Sequence, residues 1–177
     1  MSVSTRVQFM MQCLELQARD LGNAQMAHRA EYPTSAVNSG LIEFGSGTGD
    51  NQFDRIWTDE RTLSATSESL DLAGSLTSQL DGTTVTFVEV GGIWLYNTAT
   101  SAASVLIAGG AASNQAYVGL FGAAADKIKI GALGQLFWFA PLDGGGLTVT
   151  AGTGDLLKID AGAATITYRI ALLGRSA

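Results

Sequence analysis

The chain has 177 residues, of which 46% are hydrophobic and only 15% are charged, and its net charge at pH 7 is −6. This length suits one domain with an appended arm, and an acidic chain without a Lys/Arg cluster argues against nucleic-acid binding. Its single cysteine, Cys13, excludes an internal disulfide and a cysteine-based zinc site. The apolar runs are shorter than the ~20 residues of a membrane span, and the N-terminus lacks secretory-signal features, so we expect no membrane association and synthesis in a cytosol.

The N-terminal segment is predicted to be an amphipathic helical arm. Four apolar residues fall on one face at helical spacing, and they are Val7, Met10, Met11 and Leu14. The stretch Thr5–Arg19 contains neither glycine nor proline, and we expect its helix to end near Gly22. Residues 23–40 lack periodicity and are predicted to form a linker. The arm (residues 1–40) is therefore a candidate partner-binding element, although its helix could equally pack on its own domain.

Residues 41–177 are predicted to form an antiparallel β-sandwich. Short apolar runs alternate there with glycine-, alanine- and threonine-rich turns, giving about nine or ten strands at the spacing typical of sandwiches and barrels. The pair Asp81-Gly82 between strand formers is a strong hairpin signal. Because no helical stretches separate the strands, the pattern disfavours an alternating α/β fold.

Four large apolar residues follow one another at Leu136, Phe137, Trp138 and Phe139. Side chains alternate between the two faces of a strand, so at least two of them must point away from the core that takes the others. They require a second cover, such as a loop, the arm or another subunit. We therefore take Phe137, Trp138 and Phe139 as candidate core or self-association residues.

No motif predicts a catalytic, cofactor or metal site. The segment FGSGTGD lacks the Gly-Lys-Ser/Thr ending and following helix of a phosphate loop, and the acids after it do not follow a calcium-loop pattern. The only histidine is His28, so a Ser-His-Asp or Cys-His group would depend on the arm folding onto the sheet. We therefore predict a non-enzymatic protein.

Two kinds of carbohydrate chemistry stay open. Sixteen acidic residues could supply a carboxylate pair for glycoside hydrolysis, although solvated turn residues are the simpler interpretation. Aromatic residues could form a sugar-stacking platform, although such residues are more often core or interface anchors. The candidate platform residues are Trp57, Trp94, Tyr96 and Trp138.

Several phrases across residues 41–174, among them SLDLAGSL, AGGAASN and VTAGTGDLLKI, resemble a family of small virion structural proteins of tailed bacteriophages. The resemblance implies a jelly-roll β-sandwich that acts without catalysis as a capsid cement or decoration protein. It also implies two partners, the major capsid protein and further copies of the chain in a trimer or dimer. The expected location is the capsid surface of a virion assembled in a bacterial host cytoplasm. A tail or baseplate component is the alternative within virions.

Overall fold

The computed structural model describes residues 5–8, 11–18, 25–32, 41–79, 81–111, 115–140, 144 and 146–177, with side chains from Phe44 onward. The chain divides into two compact units, Ser4–Phe44 and Gly45–Ala177. Every strand pair in the sheets of both units is antiparallel. Every regular secondary-structure element among the described residues is a strand. The prediction of a mainly β protein with antiparallel sheets is confirmed.

The first unit contains two separate strand pairs. Its strands are β1 (Thr5–Gln8), β2 (Met11–Ala18), β3 (Gln25–Tyr32) and β4 (Leu41–Phe44). Strand β1 pairs with β4, and β2 pairs with β3 over all eight residues of each. The structure therefore differs from the predicted helix and linker, because strands occupy the described parts of both.

The sequence itself explains why the helix prediction was wrong for β2. Leu14, Leu16 and Ala18 alternate with Glu15 and Gln17, so this run satisfies a period of two as well as the helical period. For a run that fits both periods, the conformation depends on whether a strand partner exists, and here β3 is that partner. Of the four arm residues proposed for partner binding, Val7 lies in β1, Met11 and Leu14 lie in β2, and Met10 lies outside the described residues.

The described residues of the second unit form eleven strands. They are β5 (Arg55–Ser64), β6 (Ser67–Asp71), β7 (Leu76–Thr77), β8 (Thr84–Val85), β9 (Glu89–Asn97), β10 (Leu106–Gly110), β11 (Lys127–Ile130), β12 (Gln135–Phe139), β13 (Leu147–Thr148), β14 (Leu156–Asp160) and β15 (Thr165–Arg175). One sheet has the strand order β11-β10-β14-β6, and the other has the order β12-β9-β15-β5 with β13 added to β9. Strands β7 and β8 form a short ladder of their own.

The eight strands of four or more residues pair in a nested order. Counted along the chain, the first (β5) pairs with the last (β15), the second (β6) with the seventh (β14), the third (β9) with the sixth (β12), and the fourth (β10) with the fifth (β11). Two further pairings, β9 with β15 and β10 with β14, join these four hairpin-like pairs into the two sheets. The second unit is therefore built from four nested antiparallel strand pairs.

One hydrophobic core joins the two sheets. The four-stranded sheet contributes side chains such as Leu106, Ile130, Leu157 and Ile159, and the five-stranded sheet contributes others such as Ile93, Leu95, Ile166, Tyr168, Ile170 and Leu172. Along β15 the buried residues alternate with more exposed ones from Thr165 to Leu172, as expected of a strand with one face against a core. The opposite face of the five-stranded sheet therefore points away from this core.

Asn97 is a fully buried polar residue that holds the end of β9 to the loops beside it. Its amide nitrogen donates to the carbonyl oxygens of Ser104 (2.9 Å), Ile130 (3.0 Å) and Gly131 (3.1 Å), and its Oδ1 accepts from the Ala99 N–H (3.0 Å). All these partners are backbone groups. The Asn97 side chain therefore takes the place of the interstrand backbone hydrogen bonds, which stop at the end of β9.

Asn97→Ala is expected to lower the free energy of unfolding by about 2–3 kcal/mol, because buried backbone groups would lose their partners. Urea denaturation measures this change. The exposed carboxamide of Gln135 provides a control, and Gln135→Ala should have a much smaller effect on stability. Equal effects of the two substitutions would show that the buried network contributes little.

Candidate contact surface

The outward face of the five-stranded sheet carries a cluster of aromatic side chains. On β9, Trp94 and Tyr96 alternate with the buried residues Ile93 and Leu95 and therefore point away from the core. On the neighbouring edge strand β12, Phe137 lies opposite Trp94, and 45% of its surface is exposed. Strand alternation and register thus place three aromatic rings on one surface.

The Trp94 ring is stacked with the rings of both Tyr96 and Phe137. The Trp94 ring centroid lies 6.2 Å from that of Tyr96, at an interplanar angle of 14°, and 6.2 Å from that of Phe137, at 26°. The Trp94 indole N–H donates to Oε1 of Gln135 at 3.0 Å, which fixes the orientation of the ring. We call Trp94, Tyr96 and Phe137 the aromatic patch.

A shallow depression of about 430 Å³ lies beside the aromatic patch, toward β15 and β5. Its lining includes Trp94, Thr58, Gln79, and the ion pair between Arg169 and Glu60. The Arg169 Nε donates to Glu60 Oε2 at 2.6 Å, and both side chains are more than half exposed. The hydrogen bond with Glu60 raises the pKa of Arg169 further, so the guanidinium stays charged.

The other end of the same face is more apolar. The ring of Phe139 occupies the space above Gly92, since a Cβ built on that glycine would come within 2.8 Å of the Phe139 ring and 3.2 Å of the Leu173 Cβ. Leu173 lies opposite Gly92 and is buried, whereas its β5 partner Ile56 is 41% exposed. The outward face thus changes from apolar near Phe139 to polar near Arg169.

The three predicted residues of β12 separate as alternation requires. Phe137 belongs to the aromatic patch, Phe139 lies over Gly92 on the same face, and Trp138 packs against the core between the sheets. Leu136 also packs against that core. Two of the four consecutive large side chains therefore face outward, and two face inward.

The predicted sugar-stacking platform forms only in part. Trp57 is 2% exposed, and its indole N–H donates to the Thr77 carbonyl at 3.0 Å, so it is a core residue. Trp138 is also turned toward the core. Trp94 and Tyr96 alone of the four predicted aromatics share the outward face.

Two of the acids that could suggest glycoside hydrolysis, Asp59 of β5 and Glu68 of β6, are held in one ion-paired cluster. Arg61 donates to Glu68 at 2.7 Å and to Asp59 at 2.9 Å, and Tyr168 donates to the other oxygen of Glu68 at 2.7 Å. The bond to Glu68 raises the pKa of Arg61, and burial raises the pKa of Tyr168. Because Glu68 belongs to the four-stranded sheet and the other three residues to the five-stranded sheet, this cluster ties the two sheets together.

A larger groove of about 530 Å³ runs along β5, lined by residues 54–58 on one side and 83–86 on the other. The charged groups in it are engaged within the chain. Asp54 pairs with Arg55 at 3.1 Å and accepts a hydrogen bond from the Ser176 N–H at 2.9 Å. Asp54 in this groove therefore holds Ser176, which directly follows β15, and its charge is already paired.

No family model matches this chain, and no curated protein matches it either. Among the residues that the structure describes, no three His, Cys, Asp or Glu side chains lie close enough to hold a metal ion. The same residues include no helix that could cross a membrane.

One charged residue of the depression, Arg169, was missed from the sequence. The alternation of Thr167, Arg169 and Ala171 with buried apolar neighbours could have placed it on the outward face of a strand. Its position beside Trp94 depends on the strand order, because β15 lies between β9 and β5. No local pattern carries that information.

Proposed function

We propose that the chain is a non-enzymatic virion structural protein, specifically a capsid cement or decoration protein that binds and stabilises the shell of the major capsid protein. The nested strand pairing of the second unit carries this proposal. Eight strands that pair first with last, second with seventh, third with sixth and fourth with fifth have the order of a jelly roll, a fold common among viral capsid proteins and lectins. This order supports the jelly-roll fold that the sequence resemblance implied.

The surface composition also supports a role in assembly. Only 15% of the residues are charged, well below the ~25% of an average soluble domain. Large apolar side chains lie exposed on the second unit, namely Ile56, Val88, Val118, Leu133 and Phe137. Apolar surface of this kind is typical of proteins that bury part of their surface against partners.

The proposed mechanism is mechanical. A protein that binds the expanded shell more tightly than the unexpanded one stabilises the expanded state by linkage, as any ligand of one state does. No catalytic residue or cofactor is required. The protein would be located on the capsid surface of a virion assembled in the bacterial cytoplasm.

Two surfaces are proposed to make the contacts. We assign self-association, as a trimer or dimer, to the β12 segment containing Phe137, Trp138 and Phe139, in which Phe137 is the exposed member. We assign a further contact with the capsid protein to the N-terminal unit, which is compact on its own. Two contacts on one chain raise the effective concentration of the second once the first has formed.

The experiment that tests the proposal mixes the purified protein with shells before and after expansion and quantifies what cosediments. The proposal predicts stoichiometric binding to expanded shells and greater resistance of those shells to heat. Binding to isolated tails or baseplates instead would favour the alternative virion role. Binding to neither would contradict a structural role in the particle.

Phe137→Asp is expected to weaken self-association at least about tenfold, because it places a charge at the centre of an apolar contact. Analytical ultracentrifugation over a concentration series measures the change. Val118→Asp is the control, because Val118 is 37% exposed but lies outside the β12 strand. If both variants associate as the unchanged chain does, β12 is not the self-association surface.

A further inference from the structure

We propose that the depression beside Trp94 is a binding site for a neutral hexopyranose sugar. The lining includes Trp94 from β9, Arg169 from β15, Thr58 and Glu60 from β5, and Gln79 from the loop after β7. Ala171 of β15 lies between Trp94 and Thr58 in the register of the sheet. This proposal does not depend on the capsid role, because it concerns the recognition of a small ligand. The site lies next to the proposed β12 contact, since Phe137 of β12 is stacked on Trp94.

The depression exists because small side chains lie between larger ones. In the register of the sheet, Trp94 lies opposite Ala171, and Ala171 lies opposite Thr58. One step along the same face, Tyr96 lies opposite Arg169, which in turn lies opposite Glu60. The short side chains of Ala171 and Thr58 thus form a low floor, bounded by an indole on one side and an ion pair on another.

The aromatic side of the site suits one face of a sugar ring. A pyranose presents a patch of C–H groups that packs on an aromatic ring, whereas its hydroxyl groups point outward and require hydrogen-bond partners. The Trp94 ring is held by its bond to Gln135 and is nearly parallel to Tyr96. A ring held in place in advance loses little conformational freedom when a ligand binds.

The polar side of the site suits the hydroxyl groups. A guanidinium has five N–H donors, and the ion pair with Glu60 is made through Nε of Arg169. Glu60 supplies carboxylate acceptors, and the Gln79 amide offers both a donor and an acceptor. Hydroxyl groups donate and accept, so this mixture fits them better than it fits a purely anionic or cationic ligand.

The charge of the site selects neutral sugars. Within the lining, Glu60 is paired with Arg169, and Asp59 is paired with Arg61, so no carboxylate there is left to bind a cationic ligand. The whole chain carries a net charge of −6, which gives the field around the site a negative sign. An acidic sugar would therefore be repelled, whereas the affinity for a neutral hexopyranose is not lowered by this electrostatic field. Because the depression is shallow, we expect weak binding, with a Kd of about 1 mM per site.

The test titrates the full chain with neutral hexasaccharides of glucose, mannose and galactose and follows the three tryptophan indole signals by NMR. At about 10 mM sugar, roughly tenfold above the expected Kd, at least one hexasaccharide should shift the Trp94 signal to saturation. The Trp57 signal, from a buried residue, should stay unchanged. Trp94→Phe assigns the signal.

Two variants test the location of the site. Trp94→Ala removes the stacking ring, and Ala171→Leu fills the floor while leaving every aromatic residue in place. Each should raise the Kd at least about tenfold, whereas Val118→Ala should leave it unchanged. The proposal is overturned if none of the three sugars shifts the Trp94 signal, or if both site variants bind as tightly as the unchanged chain.

Discussion

Arg175→Met is expected to lower the free energy of unfolding by about 3–5 kcal/mol, because the substitution leaves a largely buried carboxylate without its cation. The Arg175 side chain is fully buried, and its guanidinium forms an ion pair with Glu89, whose side chain is 12% exposed. The guanidinium also lies 5.0 Å above the ring of Phe53. Glu89 Oε1 accepts a further hydrogen bond from the Gly146 N–H at 3.0 Å.

This buried pair joins three parts of the second unit. Arg175 ends β15, Glu89 begins β9, and Gly146 directly precedes β13. Removing the guanidinium would therefore weaken the attachment of the C-terminal strand. It would also leave the charged Glu89 carboxylate unpaired in a poorly solvated site.

Urea denaturation of Arg175→Met beside Arg169→Met measures this effect. The second variant removes the other arginine of β15, whose pair with Glu60 is exposed to solvent and screened. We expect no measurable loss of stability from it. Equal stability of the two variants would show that burial adds nothing to the Arg175–Glu89 pair.

Gly174→Ala is expected to cost about 3 kcal/mol of stability, because no space exists for a β-carbon at this position. A Cβ built on Gly174 would overlap the Glu89 carbonyl oxygen and the Phe87 ring. The carbonyl belongs to the backbone of β9 and cannot rotate away. The glycine lies at the point where the register between β9 and β15 shifts, and this shift places Arg175 opposite Glu89.

Gly131→Ala is the matched control for Gly174→Ala. Gly131 is exposed, and a Cβ built on it meets no atom within 4 Å. Thermal or urea unfolding should show Gly131→Ala to be neutral or slightly stabilising. If Gly174→Ala were equally neutral, the result would contradict the close packing of β9 against β15 at the register shift.

The sequence predicted the second unit better than the first. In the second unit, turn-bounded apolar runs indicated antiparallel strands, and the consecutive residues Leu136–Phe139 indicated a strand with large side chains on both faces. In the first unit, Met11–Ala18 fits both a helical and a strand period. Only the pairing with Gln25–Tyr32 distinguishes them.

The candidate sites depended on information that local patterns lack. The sequence singled out four aromatics for sugar stacking, but the direction of Trp57 and Trp138 toward the core follows from which strand face meets the other sheet. An arginine such as Arg175 would be expected in solvent from its residue type. Its burial depends on the register shift that brings it opposite Glu89, which only the paired strands reveal.

The measurement that tests the central claim most directly is quantitative mass spectrometry of purified virus particles that carry this gene. If the chain is a cement or decoration protein, it should be present in a fixed ratio to the major capsid protein and should remain with the heads when the tails are removed. Its absence from purified particles, with abundant chain left in the infected cell, would contradict a structural role in the virion.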